Sequence, residues 1–158
     1  MVEIRKAKSS DAKVAWELRK EAINCQSAGS YSEIQLEVWT AGDLTEEYAE
    51  LVERYFYVLE LDGQVVATGM LGWETGQLDA IFVKPVQMAK GYGRTMLNHL
   101  ESIAIERGLS ELKLDSTLNA AAFYRKNGFI GEEVSVYHSP RGVSLACVPM
   151  KKNLVTEA

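Results

Sequence analysis

The sequence predicts a single α/β domain built on a mixed, largely antiparallel central sheet of about seven strands flanked by about four helices. Three observations carry that expectation. A chain of 158 residues with 47% hydrophobic content is enough for one compact core and too little for two ordinary domains. Its apolar spacing alternates between a strand period and a helix period along the whole chain. Several strand-like stretches follow one another through short turns, which sits poorly with an all-parallel doubly wound sheet.

The elements follow in order. Val2 to Ala7 alternates as a strand, and Ser9-Ser10-Asp11 supplies cap-type residues for a helix that buries Ala15, Leu18, Ala22 and Cys25. After a small-residue break at 27–32, Glu33 to Trp39 and Leu44 to Arg54 read as short helices separated at Ala41-Gly42-Asp43. Tyr55 to Leu61 and Gln64 to Trp73 form a hairpin about Asp62-Gly63, a strong turn signal. Glu74-Thr75-Gly76 turns the chain into a strand from Gln77 to Val83, which Pro85 stops because proline cannot donate to the ladder.

A long helix then carries Gly93, Met96, Leu97, Leu100, Ile103 and Ala104 on one face and ends at Arg107-Gly108. Glu111 to Asp115 is a short strand, and a helix from about Leu118 to Lys126 closes at Asn127-Gly128, with Phe129 placed to pack back on it. A last hairpin pairs Gly131 to Tyr137 with Val143 to Met150. The domain spans 1–152, leaving 153–158 as a tail.

Composition narrows the function classes. A net charge of −5 and a pI near 5.1 argue against a protein that tracks nucleic-acid phosphates and leave room for a cationic partner. Cys25 and Cys147 match neither a zinc spacing nor a redox pair, so buried, reduced thiols are expected and no metal is called for. No stretch approaches the apolar length of a membrane span. A soluble, cytoplasmic protein is the expectation.

The stretch Lys90-Gly91-Tyr92-Gly93-Arg94 places two glycines at the mouth of the long helix. A helix start offers unpaired amides and the positive end of a dipole, so an anion there meets several donors at once. Glycine lets the loop turn those amides outward and lets a pyrophosphate approach closely. Two other readings of a bare Gly-x-Gly stand beside this one. It can be only a tight strand-to-helix turn, or part of a dinucleotide fingerprint, although Met96 stands outside that pattern while Glu111 mimics its ribose-binding acid.

Val83-Lys84-Pro85, Met88-Ala89-Lys90-Gly91-Tyr92-Gly93, the long helix, and Phe123-Tyr124 ahead of Gly128-Phe129 together resemble the GCN5-related N-acetyltransferase superfamily. The resemblance covers nearly the whole chain, because the element order is also that family's order. It implies a sheet splayed near an acetyl-CoA site. The pyrophosphate would lie on the amides of Met88, Ala89, Lys90, Gly91, Tyr92, Gly93, Arg94 and Thr95, with the pantetheine arm between the strand ending at Val83 and the strand at Leu112 to Asp115. Two positions depart from the family pattern. Met88 stands where Gln or Arg is usual, and Thr117 stands where Asn is common, with Asn119 two residues later; either of the latter could touch the pantetheine or cap the helix.

The implied chemistry is direct attack of a primary amine on the thioester, which needs a base, an oxyanion donor and an acid for the departing sulfur. Tyr124 resembles the family's general acid, or else is an aromatic core residue. The backbone amide of Val83 or Phe82 is the implied oxyanion donor. For the base, strict alternation puts Gln77, Asp79, Ile81 and Val83 on one face, so Asp79 looks toward the cofactor arm; Glu74 in the adjoining turn and a water relay are the other candidates. Tyr31, Trp39 and Trp73 are candidates for the acceptor pocket or for core packing. His99 reads as a partly exposed helix residue. The expected partner is a small-molecule or peptide amine, neither nucleic acid nor membrane, with a homodimer left open. A catalytically weak acyl-CoA-binding regulatory module is the alternative function.

Overall fold

Residues 1–154 are described in a computed structural model of the chain. Seven strands make one sheet: β1 (Val2–Lys6), β2 (Phe56–Leu61), β3 (Gln64–Gly72), β4 (Gln77–Val83), β5 (Glu111–Thr117), β6 (Ser135–His138) and β7 (Ser144–Asn153), in the spatial order β1-β2-β3-β4-β5-β7-β6. All neighbours are antiparallel except β4 and β5, which run parallel. The helices are α1 (Ala12–Gln26), α2 (Glu33–Thr40), α3 (Glu46–Tyr55), α4 (Tyr92–Glu106) and α5 (Ala121–Lys126). Five helices flank the sheet where about four were expected, and 33–54 folds as the two short helices that the sequence predicts, α2 and α3, separated around Gly42 in the left-handed region at φ 93°.

Local chemistry accounts for these boundaries. Asp62 and Gly63 both take positive φ, 51° and 83°, the backbone of a tight hairpin turn. Ser32 opens α2 with a reciprocal cap: its Oγ accepts from the Gln35 amide at 3.1 Å and its own amide donates to Gln35 Oε1 at 2.9 Å. On one face of the sheet α4 lays down Met96, Leu97, Leu100 and Ala104, all fully buried, against Leu59, Ala67, Leu71 and Leu78. Each such large aliphatic side chain contributes roughly 1.5–3 kcal/mol of burial. α4 comes so close to β3 that a Cβ on Gly69 would lie 2.7 Å from Met96 Cγ. The other face buries Ala12 and Ala15 of α1 and Val52 of α3 against Phe56 and Val58.

Several expectations shift. Cys25 is exposed, not on the buried stripe, which runs through Ala12, Ala15, Trp16, Leu18, Ala22 and Ile23. α5 begins at Ala121, not Leu118, and the Leu118 amide donates to the Tyr31 hydroxyl at 3.1 Å. β6 is only Ser135–His138, while Ile130 makes an isolated bridge to Lys151. β7 continues to Asn153 and Leu154 is buried, its amide on the Ser110 carbonyl at 2.8 Å, so ordered packing passes the boundary at 152. Residues 155–158 of the expected tail lie outside the described residues.

One joint matters most for function. β4 and β5 pair at a single position, Gln77 with Lys113. The chain there is tight, since a Cβ on Gly76 would collide with the Glu111 carbonyl. Beyond this joint the two strands part, and the sheet opens into a wedge between residues 78–83 and 114–117.

Candidate active site

The wedge is shaped by a bulge in β4. Thr68 faces Phe82 and Met70 faces Asp79, so one β3 residue, Gly69, lies opposite two of β4, Ala80 and Ile81. Ala80 takes φ 52°, a left-handed conformation unusual for alanine. Buried Thr68 holds it there, donating from Oγ1 to the Ala80 carbonyl at 2.9 Å. The bulge reverses the facing of everything beyond it. Leu78, Ile81 and Val83 belong to the core under α4, whereas Phe82 packs with Tyr31, Leu36 and Trp39. The alternation that put Asp79 on one face with Ile81 and Val83 therefore fails, and Asp79 instead looks toward α1 and α3.

Two cavities meet in this wedge. A groove of about 590 Å³ runs along the start of α4 and is lined by Val83, Met88, Ala89, Gly91, Tyr92, Gly93 and Arg94. A cleft of about 520 Å³ opens on the other side, lined by Asp79, Phe82, Thr117, Tyr31 and Trp39 among others. Tyr124, Asn119, Ile81, Ala120 and Gln26 line both.

The groove is built for an anion. Ala89 and Gly91 have φ of 62° and 85°, turning the loop sharply into α4. The amides of Tyr92, Gly93 and Arg94, the first three of the helix, have no helical carbonyl to reach. A Cβ on Gly91 would meet nothing within 4 Å, so the space beside it is free. Gly93 is small for another reason: Phe123 Cζ lies 3.5 Å from where its Cβ would be. Lys90 and Thr95 line neither cavity; Lys90 Nζ donates to Gln87 Oε1 at 3.0 Å and Thr95 Oγ1 to the Gly91 carbonyl at 2.9 Å. Met88, in the place of the family's polar residue, accepts at Sδ from Gln26 Nε2 at 3.3 Å, tying the loop to α1.

At the junction, Tyr124 is wedged edge-on between Phe123 at 5.2 Å and Phe129 at 5.6 Å. Among the described residues nothing hydrogen-bonds its hydroxyl. Burial, reinforced by the negative charge of Asp79, pushes the phenol well above its ordinary range. Asp79 is exposed to the cleft; weakened solvation there raises its pKa above the ordinary 3.8, and the Ala80 amide, donating to Oδ1 at 2.8 Å, and the charge of Arg19 oppose that rise. The Lys84 backbone amide donates to the Val66 carbonyl at 2.7 Å, so by strand alternation the Val83 amide points away from β3 and into the wedge.

Of the other residues singled out in the sequence, Tyr31 and Trp39 line the cleft edge to face at 5.8 Å, and the Tyr31 hydroxyl donates to the Ala146 carbonyl at 2.5 Å. Asn119 accepts at Oδ1 from Ser27 Oγ at 3.2 Å. Trp73 and Glu74 are not brought to the site. Glu74 accepts from the Tyr55 hydroxyl at 3.0 Å and pairs with Arg54, while Arg107 stacks on Trp73 at 4.8 Å. His99 lies against Tyr57 under α4's side of the sheet. The sequence reading missed Arg19, Tyr48, Tyr137 and Arg141, which line the cleft from α1, α3, β6 and the β6–β7 turn. Periodicity marks none of them, because β6 has no buried face, Arg141 sits in a turn, and Arg19 and Tyr48 are half-buried polar or aromatic positions on their helices.

A splayed mixed sheet with an anion-ready helix start beside the splay defines the class of acyl-CoA-dependent transferases. The match to the acetyltransferase (GNAT) family model, over residues 17–129, shows that the chain belongs to that family. No curated protein matches the chain. Among solved structures, a GCN5-related N-acetyltransferase from Rhodopseudomonas palustris, described as an aminotransferase of class II, is 28% identical. It superposes with a TM-score of 0.89 over 96% of this chain and 95% of that one. The PaiA N-acetyltransferase of Thermoplasma acidophilum, in complex with coenzyme A, is 24% identical with a TM-score of 0.73, over 97% and 99% of the two chains. The yncA structure from Salmonella typhimurium, with its cofactor acetyl-CoA, is 20% identical with a TM-score of 0.73, over 100% and 96%. No described helix is long and apolar enough to cross a membrane, and no cluster of three His, Cys, Asp or Glu among the described residues forms a metal site.

Proposed function

We propose that this chain transfers an acetyl group from acetyl-CoA to a primary amine by direct attack, both substrates being bound at once. The carrying observation is the meeting of the two cavities at Tyr124: one suits a pyrophosphate and its pantetheine arm, the other an acceptor. Acetyl-CoA supplies an activated thioester at that junction. The amides at the start of α4, with Gly91 giving clearance and Arg94 adding charge, hold its phosphates.

The chain's groups then divide the work. Asp79, or a water in the cleft, accepts the proton that the amine sheds as its C–N bond forms. The Val83 amide donates to the acyl oxygen as charge develops there. Tyr124 gives its proton to the sulfur as the C–S bond breaks, leaving a free thiol. A phenol held above its ordinary pKa stays protonated at neutral pH, ready to donate. The position of Tyr124 and Asp79 beside the shared junction favours turnover over a binding module without chemistry.

The test is to incubate the purified protein with acetyl-CoA and an amine library while following free thiol. Thiol release that depends on an amine supports the reading, and tight acetyl-CoA binding with no amine-dependent release would replace it with the binding module.

A further inference from the structure

The cleft carries a charge pattern that acetyl transfer alone does not require. Arg19 and Arg141 both line it, and neither lines the cofactor groove, so the anion they attract is not the pyrophosphate. They gather on one indole: Arg141 lies 4.5 Å and Arg19 5.1 Å from the Trp16 ring, with Lys20 at 5.9 Å. Among the described residues none of these three cations is paired with a carboxylate. This concentration runs against a chain whose net charge is −5.

The guanidinium of Arg19 is incompletely satisfied. Nη2 donates to the Trp39 carbonyl at 2.9 Å, but Nη1 is shut off from solvent without an acceptor. An unpaired, desolvated charged donor is costly unless something completes it. Arg141 commits only Nη1, to the Ala41 carbonyl at 3.1 Å. Their mutual repulsion adds to burial in lowering the affinity of Arg19 for its own proton. Two arginines held together this way form a receptor for a carboxylate. The cleft's acids, Asp79 and Asp115, stand on its strand walls, where Asp79 faces the junction with Tyr124. The cavity therefore brings both cationic and anionic groups, Arg19 and Asp79 near enough to act on each other, into one volume suited to a small molecule.

We infer that the acceptor is a small zwitterion, an amino acid or a close derivative, whose carboxylate is held by Arg19 and Arg141 while its amine faces Asp79 and Tyr124. This rests on the acetyl-transfer reading above, so its test has two arms. The first measures thiol release with the twenty protein amino acids and, for each, its carboxamide and its decarboxylated amine. The inference expects at least one amino acid to be used roughly 10- to 100-fold better, as kcat/KM, than its two uncharged-end counterparts. It expects that ratio to collapse in Arg141→Gln, at an exposed position, and in Arg19→Gln.

The second arm titrates the CoA-loaded protein with the same amino acids by calorimetry, with no chemistry required. If amines without a carboxylate turn over as well as the acids, or if Arg141→Gln leaves the ratio unchanged, the inference fails while acetyl transfer stands. If nothing is acetylated yet amino acids bind and Arg141→Gln abolishes that binding, the carboxylate site stands and the transfer reading falls. If no amino acid is either acetylated or bound, the inference is overturned.

Discussion

At the residue scale, binding and chemistry separate most cleanly at Tyr124. Its ring packs on Phe123 and Phe129 while, among the described residues, nothing hydrogen-bonds its hydroxyl, so Tyr124→Phe keeps the packing and removes only the proton donor. Losing a positioned general acid costs about 10²- to 10⁴-fold in rate, and the good leaving ability of a CoA thiol places the expected loss at the low end. Acetyl-CoA affinity should be unchanged. Full activity in the variant would leave Tyr124 as packing. Asp79 supports a second prediction, in stability. Its folded pKa is raised, so the folded chain binds this proton more tightly than the unfolded one. That contribution favours folding below the ordinary value of 3.8 and is lost as pH rises through the raised pKa, leaving a cost at neutral pH. Asn can still accept from the Ala80 amide. Asp79→Asn should therefore melt higher than the native chain at pH 7 and nearly equal to it below pH 3.8, with turnover reduced. Equal melting temperatures at both pH values would refute the desolvated carboxylate.

At the element scale the bulge in β4 decides what the cleft contains. Thr68→Val keeps the shape of the side chain but leaves the Ala80 carbonyl without its donor. Leaving a buried acceptor unmade costs about 1–3 kcal/mol, which a urea titration would register. The same change should lower turnover, because the bulge aims Asp79 into the cleft. Unaltered stability would mean that Ala80 finds another donor. The bulge also marks the limit of what could be read from the chain. Asp62-Gly63 announced its hairpin because glycine and aspartate tolerate positive φ, and Gly91 announced the helix mouth for the same reason. Nothing in Asp79-Ala80-Ile81 signals a left-handed alanine, since its cause, Thr68, sits on the neighbouring strand. Period-two reasoning placed Asp79 with Val83 and was overturned by that long-range contact. Cys25 fell off its stripe and Arg19 onto the cleft because exposure at a stripe's edge depends on which neighbour packs there. The groove was legible because its phosphate-facing wall, 87–94, is one contiguous loop and helix start, whereas the cleft is assembled from α1, α2, α3, β4, β5 and the final hairpin.

At the scale of the whole molecule, the splay leaves β4 and β5 paired at one position, so the two halves of the sheet are held together by that joint and by the shared core under α4, to which Leu112, Leu114, Val148 and Met150 come from the β5–β7 half. A ligand lying in the wedge would touch both halves and, binding only the folded chain, must stabilise it. At 100 times its dissociation constant acetyl-CoA adds about 2.7 kcal/mol. For a domain of this size each 1 kcal/mol moves the midpoint by about 2–4 °C, so a rise of roughly 5–10 °C is expected in a thermal melt. Gly91→Glu should erase that rise. Its φ of 85° strains any side chain, lowering the starting midpoint, and the carboxylate would occupy the free space beside the loop and repel the pyrophosphate. The informative quantity is therefore the shift on adding acetyl-CoA, measured separately for each protein. A native shift with none in Gly91→Glu places the phosphates on the mouth of α4, whereas equal shifts in both would move them elsewhere.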